Sequence, residues 1–341
     1  MSILTISFFA FLSRLTDPRL LLVVVLTLAV ILVNGWTDAP NAIATAVTTG
    51  ALSFRRAAGL AALCNLLGVV VMTALNAAVA ETIYSIADFG GDTDAALTAL
   101  CAALAAIVLW STAAWVFGIP TSESHALIAG VTGAALALQG GFSNLHWDSW
   151  AKVLLGLCAS TLPAFFLGKA AGIRLRIPPW LCRPFQVLGA AAMAFLHGAQ
   201  DGQKFMGVFL LGAALAQGRR DTETFLIPLW LMVLCALTMA AGTAMGGRRI
   251  IDTVGRDMVD LDPRRGVAAD LAGAGCLLFC TLLGLPVSTT HAKTAAILGV
   301  GASAGRVDRS IARSVVLTWV CTFPCCGAIG YLTAKLLLSL I

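Results

Sequence analysis

Four short polar strings interrupt an otherwise apolar chain, and they come in two pairs. One pair is Asn34-Gly35-Trp36-Thr37-Asp38-Ala39-Pro40-Asn41 and His197-Gly198-Ala199-Gln200-Asp201-Gly202-Gln203-Lys204. The other is Pro120-Thr121-Ser122-Glu123-Ser124-His125 and Pro286-Val287-Ser288-Thr289-Thr290-His291. A carboxylate such as Asp38 or Asp201 inside an apolar run is costly unless paired or hydrated, so its default reading is functional. A structural ion pair is the blander alternative. Gly35 and Gly198 let backbone approach a ligand closely. Asn41, Thr45, Gln200 and Gln203 add oxygens for a cation and donors for an anion. Ser122, Ser124, Ser288, Thr289 and Thr290 follow a proline and precede an apolar run, the pattern of a helix start. N-capping alone accounts for any one of them. A helix N-terminus also offers unpaired N–H groups and a positive dipole end, so two such ends with their hydroxyls suit a tetrahedral oxyanion. His125, His291 and His197 could carry protons or simply pack.

Other chemistries find less support. No His, Cys and carboxylate spacing resembles a zinc site. No nucleotide-binding glycine loop appears, so drive by ATP within this chain is not expected. A membrane enzyme using Ser and His on a lipid phosphate lacks a nucleophile elbow. The ten cysteines sit mostly in apolar runs and make no disulfide framework.

The elements that must hold these strings follow from composition. Of 341 residues, 59% are hydrophobic and 11% charged. The mean hydropathy is +0.91. An ordinary soluble domain carries about 25% charged residues, which excludes both a water-soluble globule and a disordered chain. Apolar runs cover 20–47, 57–80, 95–117, 118–138, 149–173, 184–216, 224–245, 267–285, 286–304 and 314–338. They lack a period of two, and lipid demands that backbone groups pair internally, so they read as helices. The expectation is an all-α polytopic membrane protein with about 10–12 membrane segments. Residues 1–19 read as an interfacial segment.

The paired strings lie 163 residues apart (Asp38 to Asp201) and 166 apart (His125 to His291). The chain therefore divides into one repeat over 20–175, a basic cytoplasmic linker over 176–183 and a second repeat over 184–341. Placing 48–56, 169–183, 246–265 and 305–313 on the cytoplasmic side puts 14 Lys and Arg there, against 5 on the other side. That asymmetry fits the positive-inside rule. It also makes 95–138 and 267–304 helical hairpins with tips near Pro120 and Pro286, and it inverts the second repeat relative to the first. Inverted repeats with broken helices at matching positions point to the binding site of a secondary transporter.

At these residues the sequence resembles the inorganic phosphate transporter family, the Pit-type phosphate symporters. The Gly35–Asn41 and Gly198–Lys204 strings stand where that family has a doubled Gly-Ala-Asn-Asp-x-x-Asn-like hallmark. The Pro120–His125 and Pro286–His291 strings stand for its Pro-x-Ser-x-Thr-His hallmark. The resemblance covers nearly the whole chain. It implies symport of inorganic phosphate with H⁺ or Na⁺ by alternating access, and no cofactor. It implies that Asp38 and Asn41, matched by Asp201 and Gln203, serve the cation and the substrate, with Na⁺ able to sit at Asp38, Asn41 and Asp201. Ser122, Ser124, Ser288, Thr289 and Thr290 would hold phosphate oxygens. It further implies a homodimer in the cytoplasmic (inner) membrane of a bacterium, with no nucleic-acid partner.

Three departures shape the expected chemistry. Lys204 stands where many sodium-coupled members have Asn; an ammonium has no lone pair for Na⁺ but can replace a bound cation and contact phosphate. Members with Gly-Gln-Lys here resemble the proton-coupled branch, so H⁺ is favoured over Na⁺. Glu123 replaces a Thr-like position, and is expected to pair with Lys204 or to carry the proton. Gln200 replaces Asn and keeps both donor and acceptor. The set Asp38, Asp201 and Glu123 outweighs Lys204 with or without Lys293, so an anion must enter with cations. That favours symport over a channel. Sulfate is the alternative oxyanion; a carboxylate acceptor uses the donor that hydrogen phosphate has and sulfate lacks.

Overall fold

The structure is a computed structural model that describes residues 8–117, 121–218, 227–245 and 247–340. Pro120, Arg219, Arg220 and the first seven residues of the N-terminal segment lie outside the described residues. Regular structure among them is helical. The first half holds α1 (Phe8–Leu12), α2 (Pro18–Thr37), α3 (Ala39–Thr48), α4 (Phe54–Leu75), α5 (Ala78–Tyr84), α6 (Thr93–Val116), α7 (Glu123–Gln139) and α8 (Trp147–Arg174). The second holds α9 (Pro179–Leu215), α10 (Leu229–Met245), α11 (Arg248–Asp252, continued by a wider turn over Thr253–Asp257), α12 (Pro263–Leu282), α13 (Thr289–Ser303) and α14 (Arg309–Leu338). Within the described residues, the expected apolar runs fall mainly on these helices. Asp92, Asp262 and Asp308 accept backbone N–H groups at the starts of α6, α12 and α14, and Pro18 and Pro263 stand in first turns.

From α2 onward the halves follow one order, each with a long or jointed helix, a second helix, a short segment, a hairpin and a final long helix. The hairpins are α6–α7 and α12–α13. Their tips at Thr121–Ser124 and Leu285–Ser288 are buried in the centre rather than at a face. The jointed helix behaves differently in the two halves. Pro40 lacks an N–H and interrupts the chain at Asp38, between α2 and α3. The expected interruption over 197–204 is absent: α9 runs unbroken for 37 residues. That string has no proline, and its polar side chains find partners on neighbouring helices.

The α2–α3 unit and α9 cross in opposite directions. Val23 meets Gly212, Asn34 meets Asp201, and Thr49 meets Gln186. Helix pairs from different halves also approach to backbone contact. A Cβ on Gly198 of α9 would lie 2.2 Å from the Asn65 carbonyl of α4, and one on Gly35 of α2 would lie 2.5 Å from that of Met239 in α10. The same closeness joins Gly133 of α7 to Gly327 of α14 and Gly168 of α8 to Ala296 of α13. Small residues at such crossings permit close van der Waals packing in lipid. The outward faces of α8 and α14 expose Leu154, Leu155, Leu162 and Phe166, and Val316, Leu317 and Val320. Among the described residues, six helical segments are long and apolar enough to cross a membrane by length and composition.

Candidate functional site

Two hairpin tips and the middles of α2, α3 and α9 bring the paired strings to one buried centre. Ser122 and Ser288 cap α7 and α13 in the same way, each hydroxyl accepting the backbone N–H of the histidine three residues on. The two helix N-termini thus face each other, with the His125 and His291 rings 4.4 Å apart. Those rings pack further on Phe323 and Trp319, so their surroundings are aromatic.

Asp201 is the hub. Its Oδ1 accepts from Lys204 Nζ at 2.6 Å, and its Oδ2 accepts from Asn34 Nδ2 at 3.0 Å. Ser124 and Thr289, one from each tip, donate to it at 3.4 Å. His197 Nε2 lies 3.3 Å from Oδ2. His197 is oriented by Asn65, whose amide donates to Thr243 and whose oxygen faces Nδ1 at 3.0 Å. That arrangement puts the ring proton on Nδ1. Lys204 also donates to Ser124 Oγ at 2.6 Å and to the Val287 carbonyl. One ammonium therefore ties α9 to both hairpin tips.

A second polar group lies beside it. Asn41 Nδ2 donates to Thr290 Oγ1 at 3.0 Å. Asp38 faces the Glu123 backbone N–H and the Thr290 hydroxyl. Glu123 takes the Thr37 hydroxyl on Oε1. Asp38 Oδ2 and Glu123 Oε2 are buried without a hydrogen-bond partner among the described residues. Two orphaned carboxylate oxygens in one core suit a proton or a small cation. The groups are closed to solvent: Asp38 is 1% exposed, and Glu123, Asp201 and Lys204 are 0%.

Several expected residues lie elsewhere. Gln203 turns away and donates to the Asn76 carbonyl at 2.8 Å. The counterpart of Asn41 is instead Lys204, 163 positions on: each reaches a hydroxyl on the opposite hairpin tip. Glu123 makes no ion pair with Lys204, whose charge is committed to Asp201. Gln200 holds the second tip, donating to Thr281 Oγ1 and Leu285 O and accepting from Val287 N. Thr45 donates to Asp270 Oδ1 at 2.7 Å, in a separate buried cluster where Lys293 pairs with Asp270. Asn34, Thr37, Asn65 and Asp270 join these clusters without being among the expected site residues. Asn34 and Thr37 belong to the first string and were legible there; Asn65 and Asp270 are lone polar residues in apolar runs. Among the described residues no group of His, Cys, Asp and Glu is arranged for a transition-metal ion.

Comparison with known proteins bears on the chain as a whole. The family model of the phosphate transporter family matches residues 34–178 and 174–330. A "probable low-affinity inorganic phosphate transporter" of Bacillus subtilis is 36% identical, across 91% of this chain and 94% of its own. One of the same description from Rhizobium meliloti is 35% identical, across 94% and 97%. A solved structure, "the sodium-dependent phosphate transporter", shares the fold with a TM-score of 0.78 at 22% identity, covering 95% of this chain and all of that one. Four repeated strings gathered at one buried centre of a multi-pass helical membrane protein, and matches along nearly its whole length, lead to one assignment: the chain belongs to the phosphate transporter family.

Proposed function

We propose that the protein imports inorganic phosphate with a coupled cation, by alternating access, across the cytoplasmic membrane of a bacterium. The central observation is the Lys204 ammonium, buried between Asp201 and the Ser124 hydroxyl at the junction of both hairpin tips. With Ser122, Ser288, Thr289, Thr290 and Asn41 it offers a fork of donors to phosphate oxygens, supported by two helix N-termini. The antiparallel crossing of α2–α3 with α9 supports the inverted relation of the repeats over 20–175 and 184–341. Alternating access by two such repeats then takes place around one fixed site.

The charge balance supports coupling. Asp38, Asp201 and Glu123 face one committed cation, Lys204, because Lys293 is paired with Asp270. A phosphate entering this closed centre needs accompanying positive charge. Glu123 and Asp38, each with an unpartnered oxygen, are the groups that would take it. Protons are favoured over Na⁺ because Lys204 already holds the place of a fixed cation beside Asp201. The carboxylates favour hydrogen phosphate over sulfate, since only the former can donate to them.

The test is uptake of labelled phosphate by the purified protein in liposomes, driven separately by inward H⁺ and Na⁺ gradients, with sulfate as competitor. Accumulation with H⁺ alone, indifferent to sulfate, is expected. A strict Na⁺ requirement would remove the proton assignment and keep phosphate. Uptake abolished by modest sulfate would replace the substrate.

A further inference from the structure

Two recesses lie at opposite ends of the fold, and they differ in charge. At the end of α9 a cavity of about 230 Å³ is lined by Leu215, with Tyr84, Asp88 and His146 as its ionisable side chains among the described residues. At the foot of α3 a cavity of about 580 Å³ is lined by Leu52, the counterpart of Leu215 at the 163-residue separation. Here the ionisable side chains are Arg56, Arg183, Arg248, Arg256 and Asp252. The arginines come from the starts of α4 and α9 and from α11 with its following turn. These arginines belong to the basic loops that the positive-inside rule places on one side of the membrane, so their charge alone does not mark a ligand.

Their arrangement favours a ligand over a merely basic surface. Asp252 is paired with Arg256 at 3.0 Å. Arg56, Arg183 and Arg248 have no carboxylate partner among the described residues. Arg183 is fixed by its Nε–H to the Ala51 carbonyl at 3.1 Å, and Arg248 lies 5.1 Å over the Phe54 ring. Both contacts hold a guanidinium in place and leave terminal N–H groups for a second partner. A planar fork of this kind matches two oxygens of a phosphate group. Three like charges in one recess also repel one another, which an anion would relieve.

We propose that this arginine-lined recess is a second anion site, separate from the buried centre, that takes a phosphate group. The group could be borne by inorganic phosphate or by the head of an anionic phospholipid. The roughly 15 Å of α3 separates the recess from the centre. The inference does not depend on the transport reading.

The experiment uses the full chain in neutral detergent and in phospholipid discs. Labelled inorganic phosphate is titrated onto wild type and onto Arg183→Gln/Arg248→Gln. In parallel, discs of phosphatidylcholine with or without phosphatidylglycerol are solubilised and the retained lipid is counted. If free phosphate is the ligand, the double variant loses a phosphate-binding class of the wild type by tenfold or more. If a head group is the ligand, wild type retains phosphatidylglycerol over phosphatidylcholine, and the double variant loses that preference tenfold or more. Arg183→Lys/Arg248→Lys, which keeps the charge without the fork, is expected to fall between. Arg55→Gln/Arg309→Gln removes equal charge outside the recess and is expected to change neither arm. Identical behaviour of wild type and the first double variant in both arms overturns the proposal, and so does an equal loss in the Arg55/Arg309 control.

Discussion

Replacing Lys204 with methionine probes the centre most directly. Methionine keeps nearly the same length and bulk, so the change removes charge and hydrogen bonds rather than opening a cavity. It deletes the 2.6 Å bonds to Asp201 and Ser124 and the bond to the Val287 carbonyl. Asp201 is then a wholly buried carboxylate held by the neutral Asn34 amide at 3.0 Å and by longer contacts. Removing one partner of a buried pair costs about 3–5 kcal/mol. The remaining donors place the expected loss at the lower end, about 3 kcal/mol, or roughly a hundredfold in the unfolding equilibrium. Denaturant titration of the purified protein in mixed micelles measures it. The companion Asp201→Asn/Lys204→Met removes both charges and is expected to return to within about 1 kcal/mol of wild type, giving a strong coupling energy in the cycle. Phosphate binding is expected to stay lost in both. A single variant as stable as wild type would refute the account of Asp201 as a carboxylate that depends on this ammonium. A double variant that binds phosphate normally would remove the pair from the proposed site.

Glu123→Gln is expected to fold and to bind phosphate but to lose H⁺-driven accumulation in liposomes; unchanged uptake with unchanged pH dependence ends the idea that Glu123 carries the proton. Ser124→Ala and Thr290→Ala are each expected to weaken phosphate binding about tenfold, the loss of one hydrogen bond to a charged group, in a labelled-ligand titration; unaltered affinity in both would move the anion elsewhere. Lys293→Met is expected to destabilise by about 3–5 kcal/mol and Lys293→Met/Asp270→Asn to recover most of it, since that cluster is a buried pair outside the proposed site; failure of the double variant to recover contradicts a purely paired role. Gly198→Ala forces a Cβ to within 2.2 Å of the Asn65 carbonyl and is expected to destabilise by about 1–3 kcal/mol or more. Gly275→Ala, with nothing within 4 Å, is expected to stabilise by up to about 1 kcal/mol; equal melting of the two would show that the helix crossing is slack.

The helices and the gathering of the strings were legible because they rest on local or repeated signals. Apolar run lengths give the helices, and a serine three residues before a histidine gives both caps at the hairpin tips. Features present once in the chain were not legible. Asp270 and Lys293 lie 23 residues apart on different helices, and the positions that match them in the first repeat are leucines, so no pattern announces them. The continuity of α9 depends on partners such as Thr281 and Asn65, distant in sequence, that satisfy its polar side chains. The 163-residue separation matches Asn41 with Lys204, but the direction Gln203 takes turns on the packing of α9. Sequence shows both as polar neighbours; only packing against α4 sends Gln203 to Asn76.

The glycine-lined crossings have a consequence for how the chain is made. Each of those four contacts joins an element of the first half to one of the second: α2 with α10, α4 with α9, α7 with α14 and α8 with α13. When the first half has left the ribosome and entered the bilayer, the faces of α2, α4, α7 and α8 that bear Gly35, Asn65, Gly133 and Gly168 still meet lipid or one another. Asn65 has no imidazole to meet until α9 arrives, and Asn34 lacks the Asp201 carboxylate. The halves thus cannot mature in turn as beads on a string. Assembly is completed only as the last helix threads back against the seventh, and a chain truncated before α14 exposes to quality control the very surface that α14 would have hidden.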